Sequence, residues 1–247
     1  MQILIACAKL MTESHPSLPI TCTTPAFQSM ADGIAMELSH YSPEELQVLL
    51  HVNKKIAAEN WRRYRDYLNP DSLIPAVFGY DGMAFQKLAP ETMSDGDLSF
   101  ANNHLFIGSF LYGLLRPLDL IHRYRLEGNV ELSCTDDRPL FDFWKPILTG
   151  WFIRKVKEND GILVNLASNE FKDLFDWKRV QSELTVITPE FKVEKEGRLK
   201  TIVIYTKMCR GAMTRWILEN RISEIEQLKK FQYEGFKYEI DWTFALR

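Results

Sequence analysis

Short apolar runs bounded by polar or turn-forming residues mark the predicted strands of this chain. The run 161–167 is almost entirely apolar, which is typical of a strand whose two faces are both covered. The segments 185–193 and 199–206 flank the turn 194–197 and indicate a hairpin. The other predicted strands are 1–6, 74–78, 105–107 and a terminal pair that begins at Gly235.

Helical spacing of apolar residues fills the intervals between these runs. In the segment 26–39, apolar residues recur at intervals of three and four, as on one face of a helix. Ser42 begins a helix by its capping chemistry, and Ser94 is placed to cap another that runs to about His104. The other predicted helices are 54–68, a short one over 110–115 that Arg116 and Pro117 end, 140–156, and two that begin near Cys209 and Ser223.

The order of these elements predicts an α/β fold of mixed α+β character, in which helices wrap a mixed sheet. The segment 12–25 is polar and rich in Pro and Thr, and it comes too early in the chain to be an interdomain linker. It suits a surface loop. With 46% hydrophobic residues the chain can fill a substantial core, so we expect a single domain over residues 1–247.

Nothing in the apolar pattern indicates a membrane protein. The longest apolar stretches fall far short of the roughly 20 residues that a membrane-spanning helix needs. The amino terminus has no basic region before its apolar run, so it predicts a buried strand and not a signal peptide. We therefore expect a cytoplasmic protein without a membrane partner.

The cysteines and histidines show no spacing that holds a metal or a disulfide framework. The four cysteines are scattered, and no two of them form a Cys-x-x-Cys pair. The five histidines show no paired ligand spacing. The sequence thus predicts free thiols, no metal site and no cofactor.

Charge restricts where a nucleic acid could bind. The formal net charge is −3, which argues against a protein that coats nucleic acid over its whole surface. Between Arg198 and Arg221 there are six basic residues and one acid, so this segment carries +5 and the remainder −8. Any nucleic-acid site must therefore be local.

One segment is more distinctive than the rest of the chain. Residues 110–120 read Phe-Leu-Tyr-Gly-Leu-Leu-Arg-Pro-Leu-Asp-Leu, and Tyr-Arg-Leu-Glu follows at 124–127. This block closely resembles the most recognisable block of the YaaA peroxide stress protein family. Further blocks agree in the same order, so the resemblance covers the whole chain. They are 5–9, 140–144, 164–168 with Glu170, and 205–221.

Two positions depart from the family pattern. Where the family usually has Ser-Pro before Ala8, this chain has Ala6-Cys7, which excludes a serine nucleophile there. Around Gly82 the match is loose, because Met83 and Phe85 stand where an acid and a tyrosine are common. We interpret Cys7 as a small buried apolar residue in preference to a peroxide-reactive thiol.

The resemblance implies a function as well as a fold. It implies a compact fold with a positively charged cleft and a helix-hairpin-helix-like element associated with binding DNA. It also implies a role in the response to hydrogen peroxide, in which unincorporated iron is lowered and DNA and protein are spared. The implied partner is double-stranded DNA. Because no iron-binding motif is visible, we expect any effect on iron to be indirect.

Basic side chains in the family-like blocks are the candidate DNA contacts. Arg suits phosphate because its donor fork matches two phosphate oxygens and its charge does not titrate. Such contacts predict binding that is electrostatic and largely independent of DNA sequence. The candidate DNA-binding residues are Lys9, Arg116, Arg123, Arg125, Lys207, Arg210, Arg215 and Arg221.

Several of these residues also have a purely structural interpretation. Helical spacing puts Arg210 on the same stripe as Met213, so its guanidinium is either aimed into a cleft or paired at the edge of the core. Arg215 is four residues before Glu219, which is the spacing of an ordinary surface ion pair. Gly113 resembles a glycine that lets a backbone approach phosphate, but an isolated glycine more often serves local packing.

A second group of polar residues lies where predicted strands end. Asn165 and Ser168 follow a covered strand, the place where open α/β sheets tend to bind ligands. The alternative is that Ser168 only caps a helix and that Glu170 only complements the helix dipole. The candidate pocket residues are Tyr112, Asp119, Glu127, Asn165, Ser168, Glu170 and Asn220, and none is assigned a catalytic role.

Two functional hypotheses follow. The first is a non-enzymatic stress protein that binds DNA, and the second is an enzyme that acts on a nucleotide or nucleobase. A long, shallow basic groove would favour the first, whereas a compact pocket that joins the polar residues at strand ends would favour the second. Under either hypothesis we expect Arg116, Arg125, Lys207 and Arg210 to converge on one concave surface.

Overall fold

Two five-stranded sheets form the frame of the protein, which a computed structural model describes for residues 1–12 and 21–247. The strands are β1 (Gln2–Ala6), β2 (Ile74–Pro75), β3 (Leu105–Ser109), β4 (Gly113–Leu115), β5 (Leu120–Ile121), β6 (Glu131–Leu132), β7 (Arg138–Pro139), β8 (Ile162–Asn165), β9 (Thr185–Ile187), β10 (Glu190–Lys195), β11 (Arg198–Lys200), β12 (Gln232–Tyr233), β13 (Phe236–Ile240) and β14 (Thr243–Leu246).

Helices surround these sheets. The α-helices are α1 (Gln28–Ser39), α2 (Pro43–Leu49), α3 (Lys54–Arg65), α4 (Ala76–Gly79), α5 (Met83–Leu88), α6 (Asp95–His104), α7 (Leu140–Lys157), α8 (Trp177–Glu183) and α9 (Val203–Glu219). Short 3-10 helices cover Pro70–Ser72, Pro90–Thr92, Ser133–Thr135, Asn169–Leu174 and Ile225–Lys230.

The first sheet is mostly parallel, with strand order β4-β3-β1-β8-β9. Strand β1 runs parallel to both β3 and β8, and β8 runs parallel to β9; only β4 is antiparallel. The side chains of Ile3, Leu4 and Ile5 are almost inaccessible to solvent, because helices and loops cover both faces. The carboxyl ends of β1, β3 and β8 therefore meet at one edge of the sheet.

The second sheet has strand order β11-β10-β14-β13-β12 and is mostly antiparallel, with β10 and β14 as its parallel pair. Phe191 and Phe244 face each other across this pair and lie in the same apolar cluster as the core of the first sheet. The predicted fold class, mixed α/β with helices around mixed sheets, is confirmed.

A close contact between two helices positions the site described below. A Cβ atom at Gly211 would lie 1.9 Å from the carbonyl oxygen of Ala84 and 2.7 Å from its carbonyl carbon. Only glycine allows the backbones of α9 and α5 to approach so closely. This contact holds Lys207 and Arg210, on the preceding turns of α9, beside the beginning of α5.

The prediction of a helix over 110–115 is wrong. This segment forms the turn and second strand of the β3–β4 hairpin, in which Ile107 pairs with Leu115. Gly113 has a φ of +68°, and a Cβ atom there would lie 2.9 Å from the indole ring of Trp144. Gly113 therefore serves turn geometry and close packing, which is the local role considered above. A short apolar run does not by itself distinguish a helix from a strand.

Other predicted strands have different bounds. The turn 194–197 does join a hairpin, in which Lys195 pairs with Arg198, but β11 ends at Lys200 and α9 begins at Val203. The segment 185–193 is divided between β9 of the first sheet and β10 of the second. The strand over 74–78 ends at Pro75, and α4 follows at once.

The remaining elements agree well with the pattern. Ser42 and Ser94 each form a capping box, β1 and β8 are buried strands, and α7 covers the predicted aromatic helix. The segment near Ser223 contains a 3-10 helix in place of the predicted helix. Most of the predicted loop 12–25, residues 13–20, lies outside the described residues.

No helix in the described part of the chain is long and apolar enough to cross a membrane. The helix-hairpin-helix-like element that the family resemblance implies stays a prediction.

The contact at Gly211 gives a stability test. Gly211→Ala is expected to lower the free energy of unfolding by about 3 kcal/mol, because the new methyl group meets a backbone carbonyl that cannot move aside without shifting α5. Chemical denaturation with urea measures the change. Gly33→Ala in α1 is the control: nothing lies within 4 Å of the place that its new methyl group would take, so stability should rise by about 0.5 to 1 kcal/mol. Equal effects of both substitutions would contradict the packing argument.

Candidate functional site

A pocket of about 340 Å³ opens at the carboxyl edge of the first sheet. Its wall is built from the segment after β1, the first turn of α5, the segment 124–127, the segment that follows β8, and one face of α9. Open α/β sheets commonly bind ligands at this edge, because loops leave the ends of parallel strands together and form a crevice. The position of the pocket thus follows from the strand order.

Much of the wall is apolar and aromatic. Phe110, which follows β3, stacks on Phe171 with ring centroids 4.7 Å apart. Leu126, Leu166 and Met83 complete this part of the lining. A pocket of this size with an apolar lining and a few polar groups is typical of a site for a small organic ligand.

Two of the basic residues at the pocket share one carboxylate. Lys9 Nζ lies 3.1 Å from Glu127 Oε2, and Arg125 Nη2 lies 2.8 Å from Glu127 Oε1. Glu127 therefore fixes the orientation of both cations. It also neutralises one of their two charges.

Arg210 is different, because its guanidinium lies half-buried in the pocket without a protein partner among residues 1–12 and 21–247. Its Nε is buried and makes no hydrogen bond within those residues. Burial lowers the pKa of Arg210 from its ordinary value. Lys207 lies one turn earlier on the same face of α9 and is exposed. A buried donor without an acceptor is costly, so the pair has the character of an anion site.

Ser168 and Glu170 also line the pocket without hydrogen bonds or ion pairs of their side chains to the described residues. Ser168 occupies the N-cap position of the 3-10 helix Asn169–Leu174, but its side chain makes no capping bond. The capping interpretation is therefore not supported. Desolvation raises the pKa of Glu170, the charge of Glu127 raises it further, and Lys9 and Lys207 act in the opposite direction.

A chain of buried hydroxyl groups includes Tyr124, which lines the pocket together with Cys7. The Tyr124 hydroxyl lies 2.9 Å from the Tyr80 hydroxyl and 2.6 Å from Ser109 Oγ. Burial raises the pKa of Cys7 to about 12; the Tyr124 contact lowers it in part, while the nearby charges of Glu127 and Glu170 raise it. At neutral pH Cys7 is consequently a protonated thiol.

Of the four basic residues expected to converge, Arg125, Lys207 and Arg210 line this pocket and Arg116 does not. Arg116 Nη1 donates to Gln2 Oε1 at 3.0 Å and to the carbonyl oxygen of Leu105 at 3.2 Å, at the amino ends of β1 and β3. It lies at the opposite edge of the sheet. The expectation of one surface for all four residues is wrong for Arg116.

Burial shapes the chemistry around Arg116. Its guanidinium lies 3.5 Å from the ring centroid of Phe106, and burial lowers the pKa of Arg116 to about 10. Asp119 accepts hydrogen bonds from the backbone N–H of Arg116 at 2.7 Å and from Thr23 Oγ1 at 2.6 Å. Asp119 is thus a turn-forming residue of this edge and does not line the candidate pocket.

Six other predicted residues also lie outside the pocket, and three of them lie in or beside the strands. Arg123 lines a separate cleft beside Asp71. The Tyr112 side chain is buried, and its hydroxyl accepts the backbone N–H of His122 at 2.9 Å. Asn165 is buried at the end of β8, where its Oδ1 accepts the backbone N–H of Ala167 at 3.2 Å.

The far end of α9 carries structural residues. Arg215 Nη2 lies 2.6 Å from Glu219 Oε1, as its four-residue spacing predicts, and the same guanidinium donates to Thr92 Oγ1 at 2.6 Å. Arg221 Nη2 lies 2.7 Å from Asp97 Oδ1. The Asn220 side chain donates to a backbone carbonyl of α9. These contacts hold α9 against α6 and the segment after α5.

The aromatic wall and the role of α5 are not predictable from the sequence pattern. Phe110, Phe171 and Tyr124 are recognisable as apolar residues, but which of them face a cavity depends on how distant segments pack. The segment 82–85 matches the family only loosely, yet it lines the pocket. Gly211, next to Arg210, is the one local signal that indicates a close approach of another element.

Fold and site together define an α/β protein with a pocket at the carboxyl edge of a mostly parallel sheet. A sequence profile described as "Peroxide stress protein YaaA" matches residues 1–241. The chain belongs to this family, and this membership supports a role in peroxide stress. No group of three or more His, Cys, Asp or Glu side chains placed to hold a metal ion occurs in the part of the chain that the structure covers.

The chain is also similar to several UPF0246 proteins. The UPF0246 protein of Bacteroides fragilis is 51% identical over 240 residues, which is 96% of this chain and 93% of the relative. The protein of Porphyromonas gingivalis is 46% identical with the same coverage. That of Flavobacterium psychrophilum is 35% identical over 97% of this chain and 95% of its own length.

The raised pKa of Cys7 predicts a thiol that does not react with peroxide. At about pH 7.5, exposure of the folded protein to hydrogen peroxide with dimedone is expected to leave Cys7 unlabelled, because the thiolate is the reactive form. Peptide mass spectrometry measures the labelling, and the urea-unfolded protein serves as the control in which Cys7 should react. Rapid labelling of Cys7 in the folded protein would contradict this assignment.

Proposed function

We propose that this peroxide stress protein binds phosphate groups of double-stranded DNA at the mouth of its pocket and thereby spares DNA from oxidative damage. The observation that carries the proposal is Arg210, a half-buried guanidinium without a partner in the described residues. Arg and Lys together are the usual holders of phosphate, and charge-assisted bonds in a partly buried site are strong. Lys207, one helical turn away, supplies the second charge.

The charge balance of the pocket supports an anionic ligand. Lys9, Arg125, Lys207 and Arg210 face two carboxylates, Glu127 and Glu170. The excess of two positive charges stands in a chain whose formal net charge is −3. Binding of this kind is electrostatic, so we expect it to be largely independent of sequence and to weaken with salt.

A second candidate is a protein that acts on a free nucleotide or nucleobase, and the shape of the pocket favours it. The void is compact, it has an aromatic wall, and it joins Ser168 and Glu170 to Lys207 and Arg210. Phosphate binding alone would not require the carboxylate of Glu170 or the hydroxyl of Ser168. A nucleotide unit with its phosphate at the mouth would use both parts of the site.

Lowered unincorporated iron remains part of the proposal as an indirect effect. Protection of DNA at the site of damage and a fall in free iron are separable outcomes. Both can be followed in cells exposed to peroxide, the first by strand breaks and the second by whole-cell iron spectroscopy.

The proposal is tested by binding to a duplex oligonucleotide. Arg210→Ala and Lys207→Ala are each expected to weaken binding roughly tenfold or more, since each removes a charge-assisted contact. Each should also lower the slope of log affinity against log salt by about 1. Fluorescence anisotropy over a salt series measures both quantities. Lys178→Ala, an exposed lysine of α8 outside the pocket, is the control and should change neither.

The outcomes separate the two candidates. Because Arg210 has no protein partner among the residues described and its buried Nε is unsatisfied, its replacement should leave the thermal midpoint at or above that of the parent. Affinity that ignores salt but follows DNA sequence would contradict phosphate binding. A folded Arg210→Ala protein that binds duplex normally but no longer protects cells from peroxide would favour the nucleotide candidate.

A further inference from the structure

We propose that Glu170 and Ser168 read the base of the bound nucleotide, and that they select guanine. This inference rests on the proposed nucleic-acid ligand and deepens it. The cations of α9, Lys207 and Arg210, recognise a phosphate that every nucleotide carries. The two residues after β8 are the ones that can distinguish one base from another.

Both side chains are available to a ligand. Ser168 and Glu170 line the pocket, and neither side chain hydrogen-bonds or ion-pairs with the residues that the structure describes. Ser168 is half-buried and Glu170 is exposed, so a ligand in the pocket can reach both side chains. They stand two residues apart at the start of one 3-10 helix, so they can contact neighbouring atoms of one ligand.

An apolar wall lies beside Ser168 and Glu170. Phe171 and Phe110 stack on each other in the same wall, and Leu126 and Leu166 extend its apolar surface. The two rings are only 3% and 4% exposed, so a flat, partly apolar nucleobase would pack against this wall as a whole and not on an open ring face. The sugar and phosphate would then lie toward Lys207 and Arg210.

The hydrogen-bonding groups of Glu170 and Ser168 match the edge of guanine. An ionised carboxylate only accepts hydrogen bonds and has two oxygens, so it pairs best with two adjacent N–H donors. The Watson–Crick edge of guanine presents O6 as an acceptor, followed by N1–H and the 2-amino group as donors. Glu170 can accept from both donors, and the Ser168 hydroxyl can donate to O6. The three groups of that edge are satisfied by two side chains.

The other bases fit this pair less well. Adenine and cytosine each place an acceptor nitrogen beside their exocyclic amine, and this lone pair would face a carboxylate oxygen. Thymine and uracil have one N–H between two carbonyl groups. An acceptor held opposite a carboxylate is repelled and unpaired, which is the strongest form of discrimination between ligands of similar shape.

The test compares three nucleoside monophosphates by isothermal titration calorimetry. GMP should bind tightest. IMP, which lacks only the 2-amino group, should bind roughly tenfold more weakly because one charge-assisted hydrogen bond is lost. AMP should bind more weakly again.

Glu170→Gln is the informative variant, because an amide keeps the size of the side chain but replaces one acceptor by a donor. It should lower the ratio of GMP to AMP affinity at least roughly tenfold, since an amide suits the donor and acceptor of adenine. Removing a negative charge also strengthens binding of every phosphate, so the ratio and not the GMP affinity is the readout. Ser168→Ala should weaken GMP without favouring AMP.

Asp173→Asn is the matched control. It removes the same charge from the same 3-10 helix, but Asp173 is exposed and does not line the pocket. The ratio of GMP to AMP affinity should be unchanged. Thermal melting of all three variants verifies that they are folded.

A second set of measurements, with DNA duplexes, distinguishes a base in DNA from the base of a free nucleotide. Duplexes with a single unpaired guanine, a single unpaired adenine and no unpaired base are compared at one salt concentration. Preference for the unpaired guanine, lost in Glu170→Gln, would support base reading on DNA even if free GMP binds weakly. Preference for GMP without a preference among duplexes would support a free nucleotide as the ligand.

Equal affinities for GMP and AMP, together with equal affinities for the three duplexes, would overturn the inference. Salt-dependent duplex binding that Arg210→Ala weakens would then still support phosphate binding at the mouth. Absence of binding to every nucleotide and every duplex would overturn both proposals. A preference for GMP that Glu170→Gln leaves intact would overturn the assignment of Glu170 alone.

Discussion

The approach of one helix backbone to another at Gly211 is the contact on which the site depends. With no side chain at this position, α9 lies against the carbonyl group of Ala84, closer than any other residue would permit. This fixes the register between α9 and α5, and hence the position of Lys207 and Arg210 relative to the strand ends. The first sheet supplies the crevice, but it does not determine its charge. Glu127 and Glu170 balance Lys9 and Arg125, so the excess of positive charge comes from Lys207 and Arg210 of α9, through this contact.

The polar groups of the pocket are held in an arrangement that the described residues do not fully satisfy. Glu127 is engaged by Lys9 and Arg125, whereas Arg210 has no partner in the described ranges 1–12 and 21–247. Unpaired buried groups are destabilising, and proteins retain them mainly at sites where something binds. The surrounding apolar wall raises the strength of any electrostatic contact made inside the pocket. The same arrangement therefore lowers the stability of the free protein and prepares the site for a ligand.

Local chemistry makes part of this structure predictable. Capping at Ser42 and Ser94, the all-apolar run of β8 and the strand-end position of Ser168 each depend on residues close in sequence. Prediction fails where packing between distant elements decides the outcome. The run 202–205 lies in the predicted strand 199–206, but α9 begins at Val203. Arg116 follows the β3–β4 hairpin and lies at the amino edge of the first sheet, whereas Arg125 lines the pocket at the carboxyl edge. Neither fact can be predicted from the local pattern of apolar and polar residues.

The pocket also draws its residues from nearly the whole length of the chain, from Cys7 after β1 to Arg210 in α9. Strand β1 pairs with β3, about a hundred residues later, and with β8, which is later still. Contacts of such long sequence separation close late in folding, since the loops between them must first be ordered. During synthesis the ligand site therefore forms only after α9 has emerged from the ribosome. A truncated or stalled product would carry the strand-end residues with Lys9 and Arg125, but it would lack Lys207 and Arg210 and therefore the excess of positive charge on which binding of the proposed ligand depends.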